Sequence, residues 1–225
     1  MGASLLLLML VTVLGIFLIN NQKSKPLKNS LYQTIAKENY VTLTDGYAKS
    51  VYGDEVGQTF SVKTQELYGD DIAVKGDKVY GTELDGQTAK AFYREVWKEA
   101  LEATKYLQIN KSAIKKANYK VTLDLADTWG NLKLSSDSRG NNDILNDYKD
   151  KTLKCLRIHF DKSYRPTRIE GYYQADGDRG WYNLLYLAYP DLTKASFDSK
   201  LDAYIQTIQA QPDEDEESEQ VEDTE

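Results

Sequence analysis

The chain has 225 residues, enough for one domain with a hydrophobic core, and its formal charge at pH 7 is −7. A single cysteine and a single histidine exclude an intramolecular disulfide framework and leave too few soft ligands for a zinc site. The negative charge is concentrated in residues 211–225, which contain nine acidic residues and no Lys or Arg, so residues 1–210 carry a charge of +2. Because this remaining part lacks a dense basic patch interleaved with aromatic residues, the sequence disfavours nucleic-acid binding.

An uncharged and almost wholly apolar segment, residues 1–22, opens the sequence and is followed by Lys23, Lys25 and Lys28. As a helix, residues 3–19 would be about 25 Å long, near the lower limit for crossing the hydrocarbon core of a bilayer. No Lys or Arg precedes the apolar core at 3–19, and the residues at its end are bulky where signal peptidase requires small ones. The sequence therefore predicts a retained transmembrane anchor in contact with the lipid bilayer, with a cleaved secretory signal as the alternative.

The lysines that follow the anchor indicate its orientation. Short flanks rich in Lys and Arg stay on the cytoplasmic side, so Lys23, Lys25, Lys28 and Lys37 favour a cytoplasmic C-terminal domain. The 17 tyrosines and the many Thr, Asn, Asp and Gly residues are equally typical of exported domains, so an extracytoplasmic domain is the alternative.

Composition divides the chain into four segments. We expect a transmembrane anchor at 1–22, a polar juxtamembrane stem at 23–40, one α+β globular domain at 41–210 and an acidic tail at 211–225. The tail is expected to be disordered, because a run of like charges repels itself and cannot bury apolar surface.

Extended and helical patterns follow the stem in chain order. Short alternating runs separated by turn residues predict antiparallel strands over 60–80. Apolar residues three or four apart then predict a helix over 88–107, with Thr88 as N-cap and a buried face that begins with Phe92 and Val96.

More strands are expected after this helix. Strict alternation over 119–125 predicts a strand that is buried on one side, and loop composition follows over 135–146. A second hairpin is expected to join a strand at 156–160 to one at 169–173 across a turn at 161–166.

Helical spacing returns near the end of the domain. The sequence predicts a helix over 181–189, ended by Pro190, and another over 196–209. The order of the elements lacks the regular alternation of a doubly wound sheet. The expected fold class is therefore α+β, with an N-terminal transmembrane helix, one antiparallel sheet with helices packed on one face, and a disordered acidic C-terminal tail.

The sequence contains no recognisable catalytic motif, metal site or cofactor-binding loop. His159 and Cys155 are four residues apart on an expected strand, about 13 Å from one another, which is too far for a nucleophile and its base. An alternative function is a hydrolase in which carboxylates act as acid and base. The candidate carboxylates for this chemistry are Glu170, Asp176 and Asp178. A structural role also accounts for these residues without catalysis: they would form a tight turn, and Asp178 would cap the following helix.

Five aromatic residues crowd one segment near the end of the domain and are the candidate binding residues: Tyr172, Tyr173, Trp181, Tyr182 and Tyr186. Aromatic side chains with a polar atom are frequent at interfaces, although packing of a helix against the last hairpin also accounts for them. We therefore expect a single-pass, membrane-anchored binding or scaffolding protein of a bacterial cell envelope, with an unidentified protein partner and without catalysis. The alternatives are a membrane-anchored hydrolase and a secreted binding domain released by signal cleavage.

Overall fold

The computed structural model describes residues 30–53, 56–114, 117–130, 143–175 and 177–211. Within these ranges the chain is an α+β domain built on one antiparallel sheet, whose nine strands lie in the order β5-β4-β3-β2-β1-β9-β8-β7-β6. The strands are β1 Tyr40–Asp45, β2 Gln58–Ser61, β3 Glu66–Gly69, β4 Ile72–Lys75, β5 Lys78–Tyr80, β6 Lys120–Asp124, β7 Leu153–Phe160, β8 Pro166–Ala175 and β9 Asp178–Ala188. The helices are α1 Leu31–Ile35, α2 Gly46–Tyr52, α3 Ala89–Leu101, α4 Leu125–Trp129, α5 Asp143–Lys149 and α6 Lys194–Ala210, with 3₁₀ helices at Glu102–Tyr106 and Lys111–Ala113.

The sheet joins two runs of hairpins. In β1–β5 and in β6–β9 each strand pairs with the next one along the chain. The two runs meet where β1 pairs with β9, from Thr42 opposite Ala188 to Asp45 opposite Leu185. The strands expected over 60–80 and the hairpin expected after residue 156 are confirmed, because short turns separate residues that alternate between the two faces.

One face of the sheet is apolar and is covered by α1, α3, α4 and α5. Phe60 and Leu67 from the first run of strands, and Leu156 and Ile158 from the second, have no exposed surface there. α3 brings Trp97 onto this face, with its ring 5.1 Å from the ring of Phe60 in an edge-to-face arrangement. This main core supplies most of the buried apolar area, and therefore most of the favourable free energy of folding.

The last helix, α6, packs on the opposite face, so the expectation of helices on one face only is wrong. In β4 the consecutive residues Ala73 and Val74 are both fully buried, Ala73 beneath α6 and Val74 in the main core. Phe197 of α6 lies against the rings of Tyr40 and Tyr68. Strands of four residues are too short for their pattern to reveal that both faces are buried.

The segment 181–189 is expected as a helix, but its residues 181–188 belong to strand β9. Leu185 and Leu187 are buried in the main core, while Tyr186 between them lies on the other face, which is the alternation of a strand. Pairing with β1 on one side and β8 on the other stabilises this conformation through contacts distant in sequence. Asp178 begins β9 and does not cap a helix.

The helix α3 is shorter than expected, and its buried face is shifted by one residue. Thr88 is the N-cap, as predicted, but the α-helix ends at Leu101 and continues as a 3₁₀ helix. Phe92 and Val96, expected in the core, are only partly buried, because the larger rings one residue later pack on Phe60. The buried residues are spaced four apart and are Ala89, Tyr93, Trp97 and Leu101.

Two segments expected as strand or loop form short helices. β6 ends at Asp124, whose side chain accepts backbone hydrogen bonds and starts α4, so Leu125 belongs to a helix and not to the strand. Of the loop expected over 135–146, the described residues 143–146 belong to α5 instead, and Leu145 of this helix is fully buried.

The folded domain begins before the end of the expected stem at 23–40. Ser30 and Gln33 form a capping box that starts α1, and Leu31 and Ile35 of this helix are buried in the main core. Two apolar residues four apart in a polar segment are too weak a pattern to indicate this helix from the sequence.

Several expected features lie outside the described residues: the anchor at 1–22, the first part of the stem, Asp176, and the acidic tail from residue 212 onwards. Among the helices that the structure describes, none has the length and apolar character needed to cross a bilayer.

Candidate functional site

A cleft of about 840 Å³ opens beside the end of β1, in the size range of ligand-binding sites. β1 pairs with β9 only as far as Asp45 and Leu185, whereas β8 accompanies β9 to Asp178. In the described part of the chain, residues 178–184 of β9 therefore have no strand neighbour on the side of β1. The cleft lies beside this edge, and α2, α3, α5, β8 and the β3–β4 turn complete its walls.

The helix α2 closes one side of the cleft because β1 turns directly into it. The Asp45 carboxylate accepts hydrogen bonds from the backbone N–H groups of Tyr47 at 2.8 Å and Ala48 at 2.9 Å, which starts the helix. Gly46 lies against the backbone of β9, where a Cβ atom would come within 1.8 Å of the Asn183 carbonyl oxygen. The absence of a side chain at Gly46 therefore sets the distance between α2 and β9.

Carboxylates line the cleft, and its described lining contains neither Lys nor Arg. They come from separate parts of the fold: the end of β1, the β3–β4 turn, the second half of α3 and α5. The residues are Asp45, Asp70, Glu99, Asp143 and Asp147. Acidic groups within a cleft walled by protein create a negative potential that attracts cations.

A two-residue turn between β3 and β4 places Asp70 in the cleft. Asp70 and Asp71 have φ angles of 49° and 60°, the left-handed conformation of a tight hairpin turn, which Asp adopts more readily than most residues. Burial raises the pKa of the Asp70 carboxyl; a backbone hydrogen bond from Gly57 opposes this, and the charges of Asp71 and Asp45 add to it. A cation bound in the cleft would relieve this repulsion.

The wall formed by α5 and β8 combines a carboxylate with aromatic rings. The Tyr173 hydroxyl donates a 2.6 Å hydrogen bond to Asp147, and the ring of Tyr182 lies edge-on to that of Tyr173 at 5.7 Å. Burial is the largest cause of a pKa of Tyr173 far above its usual value, and the hydrogen bond to Asp147 and the negative charge of Asp147 raise this pKa further. The Tyr173 hydroxyl therefore stays protonated at neutral pH. Aromatic ring faces attract cations, so the rings and the carboxylates favour the same kind of ligand.

The structure distributes the five candidate binding residues over two faces of the sheet. Tyr173, Trp181 and Tyr182 line the cleft. Trp181 and Tyr182 are 36% and 54% exposed, so they are accessible to a ligand. Tyr172 and Tyr186 are not in the lining; register places them on the face opposite the main core, together with Trp181, which is paired with Tyr172 and reaches the cleft at its edge.

On this opposite face, basic residues surround Glu170. Its carboxylate is 2.6 Å from His159 Nε2, 3.5 Å from the guanidinium of Arg157 and 3.6 Å from that of Arg168. Burial alone would raise the pKa of Glu170, but the hydrogen bond with His159 and the charges of Arg168 and Arg157 outweigh burial and lower it. Glu170 is therefore the centre of an ion-pair cluster.

The described carboxylates of the hydrolase alternative are not close together. By the register of β8 with β9, Glu170 lies five residue steps from the position opposite Asp178, about 17 Å along the strand. Asp176 lies outside the described residues. His159 and Cys155 share a face, as expected; His159 contacts Glu170, and burial raises the pKa of the Cys155 thiol. No group of three or more His, Cys, Asp and Glu in the described ranges is arranged to hold a metal ion.

The sequence pattern does not reveal the acidic lining of the cleft. Asp45 and Asp70 occur in motifs typical of turns, and Glu99 lies on the polar side of an expected helix, where acidic residues are ordinary. These residues are far apart in the chain, and no local signal distinguishes them from other exposed acids.

No family model, no curated protein and no solved structure matches the chain.

Proposed function

We propose that this protein is a single-pass, membrane-anchored binding protein of a bacterial cell envelope, and that its cleft binds a lysine- or arginine-rich segment of a protein partner. The observation that carries the proposal is the lining of the cleft. It has five carboxylates and four aromatic side chains, with no Lys or Arg among its described residues. Ammonium and guanidinium groups bind carboxylates through charge-assisted hydrogen bonds and pack on aromatic rings.

The shape of the site supports a chain segment as the ligand. The cleft lies beside the edge of β9 at 178–182, which has no strand neighbour on the side of β1 and whose backbone N–H and C=O groups can pair with an extended segment; α2 covers residues 183–184. The exposed ring of Tyr182 lies at this edge, beside the carboxylates, whereas one face of the Trp181 ring is covered by the guanidinium of Arg157. An extended partner would therefore contact backbone, rings and carboxylates together.

The anchor proposed at 1–22 would hold the cleft beside the membrane. We expect the protein to stay in membranes during a carbonate wash, and its purified form to retain these residues. A mature chain that begins after residue 20 would favour the secreted binding domain instead. Cys155 is the only cysteine and is partly exposed, so its labelling in intact and in permeabilised cells reports the side of the membrane. We expect labelling only after permeabilisation.

Binding can be measured with a fluorescein-labelled peptide of eight lysines at physiological salt, titrated with the detergent-solubilised full chain in which the nine acids of 213–225 are replaced by Asn and Gln, so that the peptide does not bind that segment. The test variant is Asp70→Asn with Asp143→Asn, which removes two carboxylates of the cleft and keeps residues that suit a turn and a helix start. We expect an affinity about tenfold lower, because two solvent-exposed ion pairs together contribute about 1.4 kcal/mol.

The matched control is Asp77→Asn with Asp191→Asn, two exposed carboxylates that are not in the lining of the cleft. This variant has the same net charge as the test variant, so we expect its affinity to stay within about twofold of the original. An equal loss of affinity in both variants would show that the peptide binds through overall charge, which contradicts a site in the cleft.

A further inference from the structure

The face of the sheet opposite the main core has a second surface of distinct chemistry. α6 packs on β3, β4 and β5, and α2 adjoins β9, where Lys49 lies 4.5 Å from the centroid of the Tyr186 ring. The register of β6–β9 places a set of mostly basic side chains there, which we name the basic face: Lys120, Arg157, His159, Arg168, Arg179 and Trp181.

Positive charge exceeds negative charge on the basic face. Glu170 is the carboxylate at its centre and is shared by Arg157 at 3.5 Å and Arg168 at 3.6 Å. Asp124 at the rim caps α4. Each guanidinium has five N–H donors, so Glu170 cannot satisfy both, and Lys120 and Arg179 add two further charges.

Trp181 provides a natural reporter of this surface. The guanidinium carbon of Arg157 lies 3.8 Å from the centroid of the Trp181 ring, and Tyr172 packs beside that ring at 5.3 Å. An anion that bound Arg157 would therefore also cover Trp181. The other two tryptophans, Trp97 and Trp129, are 6% and 1% exposed and lie in the main core.

The acidic residues of 213–225 follow a helix that lies on this same face of the sheet. Tyr204 of α6 accepts a hydrogen bond from the backbone N–H of Asp71, which places the second half of the helix at the β3–β4 turn. Fully extended, residues 212–225 reach about 46 Å. The six strand spacings from β4 to β7 amount to about 29 Å, so the segment is long enough to cross the basic face.

We propose that the acidic segment 213–225 docks on the basic face of its own chain. Its nine carboxylates complement the excess positive charge around Arg157 and Arg168, and its attachment to α6 gives it a high effective concentration at this surface. The docked segment covers Trp181 and weakens at high salt, because exposed ion pairs are screened. This docking does not require the ligand proposed for the cleft, but the two sites share Trp181, which lines the cleft and lies on the basic face.

Acrylamide quenching of tryptophan fluorescence tests the proposal on the full chain in dodecyl maltoside micelles. We expect acrylamide to quench the fluorescence of the exposed Trp181 about twofold more strongly when the nine acids of 213–225 are replaced by Asn and Gln. A similar rise is expected for the original chain in 1 M NaCl. Trp181→Phe should abolish the difference, because the two buried tryptophans do not report on this face. Equal quenching with and without the nine acids, at low salt, would overturn the proposal.

A second pair of variants tests the surface itself. In Arg168→Gln with Arg179→Gln, neutralising the acidic segment should no longer change the quenching of Trp181. In the matched control Lys63→Gln with Lys78→Gln, which removes two exposed charges elsewhere, the full difference should remain. If phosphatidylglycerol in the micelles protects Trp181 whether or not the acids are present, the basic face binds anionic lipid headgroups instead, and the proposal is wrong.

Discussion

Replacing Gly46 by alanine perturbs the contact between α2 and β9 that shapes the cleft. The added Cβ would lie 1.8 Å from the carbonyl oxygen and 2.3 Å from the carbonyl carbon of Asn183. Carbon and oxygen atoms ordinarily approach to about 3.3 Å, so α2 and β9 must separate by roughly 1.5 Å. Both contacted atoms belong to the backbone of a paired strand, so no side-chain rotation can relieve the overlap.

We expect Gly46→Ala to lower the free energy of unfolding by about 2–3 kcal/mol, in the upper part of the range for overpacking. The displacement also moves Tyr47 and Ser50, which belong to the lining of the cleft. The affinity for the octalysine peptide should then fall about three- to tenfold, which corresponds to about 0.7–1.4 kcal/mol.

Gly180→Ala is the matched control, since Gly180 also lies on β9. Its added Cβ would meet the ring of Tyr182 at 3.4 Å, an ordinary van der Waals distance. We expect this variant to be neutral or to gain up to about 1 kcal/mol. Urea unfolding of both detergent-solubilised variants, followed by circular dichroism, measures the difference. Equal stability of the two variants would contradict this prediction, because it would show that α2 is not held this close to β9.

Two further predictions concern the packing of α6 and the ion-pair cluster. Phe197→Ala should cost about 3–5 kcal/mol, because this ring is 1% exposed, whereas Phe92→Ala, at a partly buried position, should cost about half as much. The same urea titration checks both, and a larger loss for Phe92 would contradict the observed register of α3. Glu170→Gln should cost about 1–2 kcal/mol near pH 7. Because the pKa of Glu170 is lowered from its usual 4.5, the stabilisation is present above pH 4.5 and is lost as the pH falls through the lower folded pKa, so the difference should shrink at pH 3. A difference that is the same at pH 7 and pH 3 would contradict the ionic role of Glu170.

The local sequence pattern was sufficient to predict an element where the residues of that element themselves indicate its secondary structure. Thr88 is the N-cap of α3, and the helix expected over 196–209 is confirmed as α6. The hairpin of β7 and β8 is also present, because alternating residues and a short turn specify it within one segment. The same reasoning failed for 181–189, where a continuous run of apolar and aromatic residues fits either a helix or a strand.

The sequence by itself determined the α+β class and the antiparallel hairpins, because each depends on residues close together in the chain. Tertiary structure alone decided that β9 lies between β1 and β8, that α6 covers the second face, and that Asp45, Asp70 and Asp147 line one cleft. The pairing of β1 with β9, and the position of Asp45 and Asp147 in one cleft, bring together residues more than a hundred positions apart. A local pattern contains no information about such contacts.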